Sequence, residues 1–242
     1  MKALILAAGR GKRLGDISKH QNKCMIEVGG KTLLERNLDC ASLLNEINEI
    51  VIVVGYRAED IINKYGNSYN GKRIKYVVQW EQKGLVDAIC WSQKTIDGED
   101  FMLMLGDELL IQPRHKDMIK LFSDEDLFGV CGVVPVSDTS LIKKTYTVKL
   151  ESDGRISRLV EKPDHPFNNL MGTGNCVFRN GIFSFIEKTP INPIRGEREL
   201  PDLIGAAVSD GKRIKSFEIC GGYFNLNSPS EMDDISSYFG HF

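Results

Sequence analysis

This sequence has no long apolar span, no basic excess and no clustered metal ligands. The N-terminal apolar stretch, Ala3 to Ala8, is too short to cross a membrane. Strong cations follow it and no cleavage site is apparent, so it reads as a strand and not as a signal peptide. No membrane partner is expected. Lysine and arginine number 31 against 33 aspartates and glutamates, a net charge of −2. That leaves no global field to attract nucleic acid. The six cysteines (Cys24, Cys40, Cys90, Cys131, Cys176 and Cys220) are scattered, with no C-x-x-C. They make no tight group with His20, His115, His165 or His241, and no Ser/His/Asp spacing argues for a hydrolase. Buried free thiols are the expected state, which suits a reducing, cytoplasmic compartment. There is no internal repeat, low-complexity tract or linker.

What is present suits one large core. The chain has 242 residues, of which 42% are hydrophobic, and α/β domains of this size often stand alone. We therefore expect a single domain over 1–242. Strand-like runs alternate with helical patterns in the first half. Strands are predicted at Ala3–Ala8, Glu49–Gly55, Arg73–Val78 and Phe101–Leu105. Helices are predicted over Lys31–Leu44, Arg57–Tyr65 and Leu85–Lys94. Alternation of this kind implies right-handed βαβ units. After Asp107 the rhythm changes. Tyr146–Leu150 and Ile156–Val160 flank a hairpin signal at Ser152-Asp153-Gly154. Thr173–Phe178 and Arg213–Phe217 read as strands, Glu199–Val208 as a helix and Ser230–Tyr238 as a closing helix. The expected class is α/β: a Rossmann-like, mixed and mostly parallel central sheet flanked by helices, with a small β-rich lobe on the same sheet.

The chain is organised around Lys2 to Val28. A buried strand feeds Gly9-Arg10-Gly11-Lys12-Arg13-Leu14-Gly15. Paired glycines let the backbone bend and turn N–H groups outward, and fixed cations sit in the turn, with Lys19 and Lys23 following. This is what a polyphosphate needs. A dinucleotide fingerprint fails, because Leu14 stands where its third glycine belongs. A P-loop fails as well. Gly30-Lys31-Thr32 has Met25 five residues before Gly30 instead of glycine.

Later stations add chemistry. Gln79-Trp80-Glu81-Gln82-Lys83-Gly84 follows a strand end, where ligands of open α/β sheets bind. A glutamine amide there can read a base edge. Leu105-Gly106-Asp107 leaves a buried strand with a carboxylate suited to Mg²⁺. Alone, each station is also what a polar loop or an N-cap would contain. In order, they resemble the nucleotidylyltransferases that make nucleoside-diphosphate sugars. That family's pattern is roughly L-A-G-G-x-G-T-R-L, then P-K-x-L-x-P-V. Arg13 and Lys23 fall on its arginine and lysine. Ala8, Lys12, Asn22 and Glu27 depart from it. Glu161-Lys162-Pro163 matches its E-K-P, Gly172-Thr173-Gly174-Asn175 its small-residue segment, and Arg195 to Asp202 its E-x-x-D helix start. Gly221 to Glu231 resembles its W-x-D-x-x-T-P-E-D, with Asn225 at the second metal ligand and Asn227 as competitor.

The resemblance covers nearly the whole chain. It implies transfer of a nucleotidyl group from an NTP, a pyrimidine favoured, to a small phosphorylated acceptor, most readily a sugar 1-phosphate, with release of pyrophosphate. It implies Mg²⁺ on Asp107 and Asn225, and catalysis by Arg13, Lys23 and Asp107. Leu6, Ala8, Gly9, Gly11, Gln79 and Gly84 would bind the nucleotide; Glu161, Lys162, Gly174 and Asn175 the acceptor. Residues up to about 110 would form the nucleotide half and those from about 111 the acceptor half. Arg195 and Arg198 are either extra cations for a charged acceptor or part of a solvated loop. The chain has no hexapeptide repeat, so no second acyltransferase activity is expected. Two alternatives stand beside this reading: a cytidylyltransferase acting on a non-sugar phosphate or phosphonate, and a regulatory module that binds nucleotide sugar without turnover. Base, acceptor and any homo-oligomeric state stay open.

Overall fold

The computed structural model describes residues 1–11, 14, 15, 17–226, 231, 232, 235 and 238. The strands are β1 (Lys2–Ala7), β2 (Glu27–Val28), β3 (Lys31–Thr32), β4 (Glu49–Val54), β5 (Ser68–Tyr69), β6 (Lys72–Val78), β7 (Phe101–Leu105), β8 (Glu108–Ile111), β9 (Gly129–Pro135), β10 (Tyr146–Leu150), β11 (Ile156–Glu161), β12 (Leu170–Phe178), β13 (Ile214–Glu218) and β14 (Gly222–Asn225). The helices are α1 (Ile17–His20), α2 (Leu33–Leu43), α3 (Ala58–Tyr65), α4 (Leu85–Ile96), α5 (His115–Asp124) and α6 (Leu200–Ser209).

A ten-stranded sheet runs in the order β11-β10-β12-β7-β1-β4-β6-β5, with β9 beside β12 and β13 beside β9. Its centre, β7-β1-β4-β6, is parallel. The strands beyond β7 on the β12 side pair antiparallel, except for β13 with β9. The class is the mixed α/β fold expected. β1 and β4 are apolar on both faces because both faces are covered. Ala3, Ile5 and Ala7 pack into a core with α2, α3 and α5. Leu4, Leu6 and Ala8 pack into another with α4 and α6.

Local chemistry explains where the boundaries differ from expectation. The helix predicted from Lys31 begins at Leu33, because Lys31 and Thr32 pair with Val28 and Glu27 in a hairpin. Thr32 then caps α2, its hydroxyl accepting from the Glu35 N–H at 3.0 Å. The strand predicted from Thr173 begins earlier, at Leu170. A small sheet of β8 and β14 had no clear period to announce it, yet it sets Asn225 opposite Glu108. Of the closing helix Ser230–Tyr238, most positions lie outside the described residues. No helix among the described residues is long and apolar enough to cross a membrane.

Candidate active site

The carboxyl ends of the parallel strands open into a cavity of about 390 Å³. Leu6, Ala8, Gly9, Gly11, Lys23, Gln79, Gly84 and Asp107, all singled out from the sequence, line it. Arg13 and Asn227 lie outside the described residues. Gln82, Glu197 and Leu226 also line it; each lies in a segment marked from the sequence, though none was singled out as a site residue. Arg10 turns away to stack over the Tyr56 ring.

Lys23 reaches the cavity because of Asn22. The Asn22 amide donates to the carbonyls of Ala7 and Tyr56, at 2.9 and 2.8 Å. Its Oδ1 accepts from the Cys24 N–H at 2.8 Å, capping the turn that carries Lys23. Asn22 thus ties the end of β1, the β4 loop and the Lys23 turn together with bonds that proline, lacking donors, could not make. Gly11 has φ +62°, and a Cβ there would stand 3.0 Å from the Lys23 Cβ. The Lys23 aliphatic stem lies in that space. Its ammonium donates to Asp107 Oδ2 at 2.5 Å and to Asn225 Oδ1 at 3.3 Å. The two expected metal ligands, 118 residues apart in sequence (225 − 107), therefore meet at one cation. One carboxylate and one amide oxygen, both hard donors beside a cavity, fit Mg²⁺, which takes few protein ligands and completes its shell with water and phosphate oxygens.

Behind them lies a buried polar network. Glu108 is 3% exposed. Its carboxylate accepts from the Gly174 N–H at 2.9 Å, from Asn175 Nδ2 at 2.7 Å and from the Tyr223 hydroxyl at 2.7 Å. Burial pushes its pKa up to about 7. Tyr223 Oη in turn accepts from Asn225 Nδ2 at 3.3 Å, which leaves Asn225 Oδ1 turned toward Lys23. Asn175 is fully buried and also bonds His115 Nε2 at 2.8 Å. A Cβ on Gly174 would stand 2.1 Å from Leu105 Cγ. Neither Gly174 nor Asn175 lines the cavity. Gly174 packs under Leu105, and Asn175 spends its amide on Glu108 and His115; Glu161 and Lys162, the other residues expected to bind the acceptor, do not line this cavity either. His115, expected to join no constellation, belongs to this network.

Glu161 and Lys162 end β11 near the Arg195 loop. Glu161 Oε1 lies 3.6 Å from Lys162 Nζ and 3.4 Å from Arg195 Nη1. Arg195 also pairs with Glu199 at 2.9 Å and lines the cavity. Burial, then the neighbouring Glu199, pushes the Glu161 pKa up to about 7. Arg198 points elsewhere, to Glu187 and the Thr189 carbonyl. Of the two extra arginines, only Arg195 is at the site.

At the other end, Gln79 Nε2 donates to Asp87 Oδ2 at 2.7 Å and to the Gly84 carbonyl at 3.2 Å. Gln82 holds the loop by donating to the Gln79 carbonyl. Gly84 has φ +97° and directly faces Glu197.

Residues 2–222 match the family described as nucleotidyl transferase. The UTP–glucose-1-phosphate uridylyltransferase AglF of Haloferax volcanii is 36% identical over 236 residues, spanning 97% of this chain and 94% of that protein. The chain belongs to the nucleotidyl transferase family. It is accordingly an enzyme, a nucleotidyltransferase. The bifunctional protein GlmU of Methanocaldococcus jannaschii is 29% identical; the match covers 98% of this chain but only 54% of GlmU. A crystal structure of UDP-glucose pyrophosphorylase complexed with UDP-glucose has the same fold, with a TM-score of 0.87 at 24% identity, covering 99% of this chain and 98% of that one.

Proposed function

We propose that this nucleotidyltransferase joins UTP to a sugar 1-phosphate, glucose 1-phosphate first among candidates, giving the UDP-sugar and pyrophosphate. What supports this reading is one cavity lined by the Gln79 amide and by Lys23 and Asp107, with Lys23 also donating to Asn225 beside it. Similarity to the uridylyltransferase over nearly the full chain supports the choice of UTP and sugar phosphate. On this reading residues up to about 110 form the nucleotide half and those from about 111 the acceptor half. A cytoplasmic setting suits the six free cysteines.

The acceptor's phosphate oxygen attacks the α-phosphorus of UTP, and the bond to the β-phosphate bridging oxygen breaks. No protein nucleophile is required; position and charge do the work. Lys23 holds the α-phosphate or the incoming phosphate, and Arg13 offsets charge growing on pyrophosphate. The Gly9 and Gly11 backbone follows the phosphates. Asp107 and Asn225 would hold Mg²⁺, which when bound neutralises phosphate charge and orients the reactants.

Lys162 and Glu161 act on the acceptor. Lys162→Ala should raise the acceptor KM by about tenfold or more, since a charged hydrogen bond is lost, and barely move the UTP KM. Equal rises in both would remove Lys162 from the acceptor site. Glu161 gives a pH signature. Below about 7 its carboxyl holds a proton, and above it is an acceptor-only carboxylate for sugar hydroxyls. Glu199, Lys162 and Arg195 are the charged groups that act on it. The acceptor KM should fall as pH rises through about 7. In Glu161→Gln that dependence should flatten; an unchanged profile would assign it to another group.

The overall test is pyrophosphate release with Mg²⁺, using each common ribonucleoside triphosphate and dTTP. The acceptor panel is glucose, mannose and N-acetylglucosamine 1-phosphates, phosphocholine and a simple phosphonate. Release that needs both UTP and a sugar 1-phosphate supports the proposal. Release with CTP and phosphocholine would replace it by the cytidylyltransferase reading, and binding without release by the regulatory one.

A further inference from the structure

Base recognition at the Gln79 end depends on which way its amide faces. An amide offers a donor on one side and an acceptor on the other, and nothing in glutamine itself decides between them. Here Asp87, in the first turn of α4, makes the shorter of two contacts that bias the choice, the Gly84 carbonyl making the other. Gln79 Nε2 is drawn to Asp87 Oδ2 at 2.7 Å and to the Gly84 carbonyl at 3.2 Å. Both partners are acceptors. Gln79 is 3% exposed yet borders the cavity. Among the described residues no hydrogen bond ends on its Oε1, which leaves that oxygen as the amide atom available to a ligand. Turning the amide over would set Oε1 against a carboxylate and a carbonyl, with no proton between them. Around a side chain only 3% exposed, unpaired oxygens facing each other are costly.

We propose that Asp87 is a specificity-determining positioning residue that fixes Gln79 as an acceptor and so selects a base whose ring nitrogen carries a proton, uracil or thymine, over cytosine. The N3–H of uracil and thymine donates to Oε1. Cytosine presents a lone pair at N3, which Oε1 repels. Asp87 does not line the cavity; it acts through Gln79. The proposal rests on the nucleotidyl-transfer reading above and refines its base.

The test compares kcat/KM for UTP and CTP in the native enzyme and in Asp87→Asn, together with equilibrium titration of both nucleotides. Asparagine has the same shape but partners either orientation of Gln79: its Oδ1 accepts from Nε2, or its Nδ2 donates to Oε1. The native enzyme should prefer UTP or dTTP. In Asp87→Asn the UTP-to-CTP ratio should narrow by about tenfold or more, mainly through a lower KM for CTP, while the acceptor KM holds. An aspartate that merely stabilises the helix start would not move this ratio. An unchanged ratio in folded Asp87→Asn would overturn the proposal and leave nucleotidyl transfer standing. Native preference for CTP, ATP or GTP would overturn it too, and needs no variant. If no pair turns over, the functional reading fails. Titration then decides the proposal alone, and equal affinity for UTP and CTP would overturn it.

Discussion

Replacing Asp107 with alanine is expected to lower kcat by about 10³-fold or more while the protein still folds. The carboxylate is the only anionic group on the Lys23–Asn225 cluster among the described residues, and its side chain is about a quarter exposed, at 28%. Its loss removes the charged half of the proposed Mg²⁺ site. It also takes from Lys23, whose side chain is 8% exposed, its ion-pair partner Asp107. A cation that has lost one partner in a half-dry site costs some stability, and Asp107→Asn should cost less because its oxygen still meets Lys23. Steady-state pyrophosphate release with a thermal melt separates the two effects. Substantial turnover by folded Asp107→Ala would overturn the assignment of Asp107 to the metal.

Gly84→Ala is expected to cost about 2–3 kcal/mol of stability and to raise the UTP KM by about tenfold or more. At φ +97° and ψ −179°, Gly84 occupies a region that is nearly closed to side chains. An added Cβ would also meet Glu197 Oε2 at 2.7 Å and Glu197 Cβ at 2.9 Å. The carboxylate end can swing aside, but the Cβ moves only with its backbone. The loop carrying Arg195 and Glu197 would therefore shift, and both residues line the cavity. Gly84 also holds Gln79 through its carbonyl. Urea denaturation and the two substrate KM values check this. Placing Gly84→Ala in a Glu197→Gly background should restore part of the stability, the remaining loss being that of the backbone conformation. Native-like UTP KM in Gly84→Ala would contradict the placement of this glycine against the nucleotide.

Much of the site was legible because strand ends are legible. β1, β4 and β7 are dense apolar runs, and the β6 sequence ends in the strand-like Tyr76-Val77-Val78, so the loops after them, with Gly9, Gln79 and Asp107, could be placed at one edge from pattern alone. The nucleotide-side residues named from the sequence and described in the structure all line one cavity. What pattern could not supply was depth. Gly174 and Asn175 stand on β12 beside pocket residues, but the strand dips beneath Leu105, and only three-dimensional packing says so. Nor could spacing reveal that Glu108 collects Gly174, Asn175 and Tyr223, because that network joins segments as much as 115 residues apart. Asn22 looked like a departure where the family has proline, yet its amide makes three bonds that hold the Lys23 turn. The Asp87 contact was hidden for a different reason. An aspartate in the first turn of a helix is already accounted for by the macrodipole, so sequence gives no cause to look further.

The central claim is direct transfer of a uridylyl group to a phosphorylated sugar. Its most direct test follows UTP labelled at the α-phosphorus, with glucose 1-phosphate present or withheld. With acceptor, the label should pass into a UDP-sugar while unlabelled pyrophosphate is released in equal amount. Without acceptor, labelled pyrophosphate should not exchange into UTP, because no nucleotidyl-enzyme forms. Label appearing as free phosphate or UMP, or pyrophosphate exchange in the absence of acceptor, would contradict it.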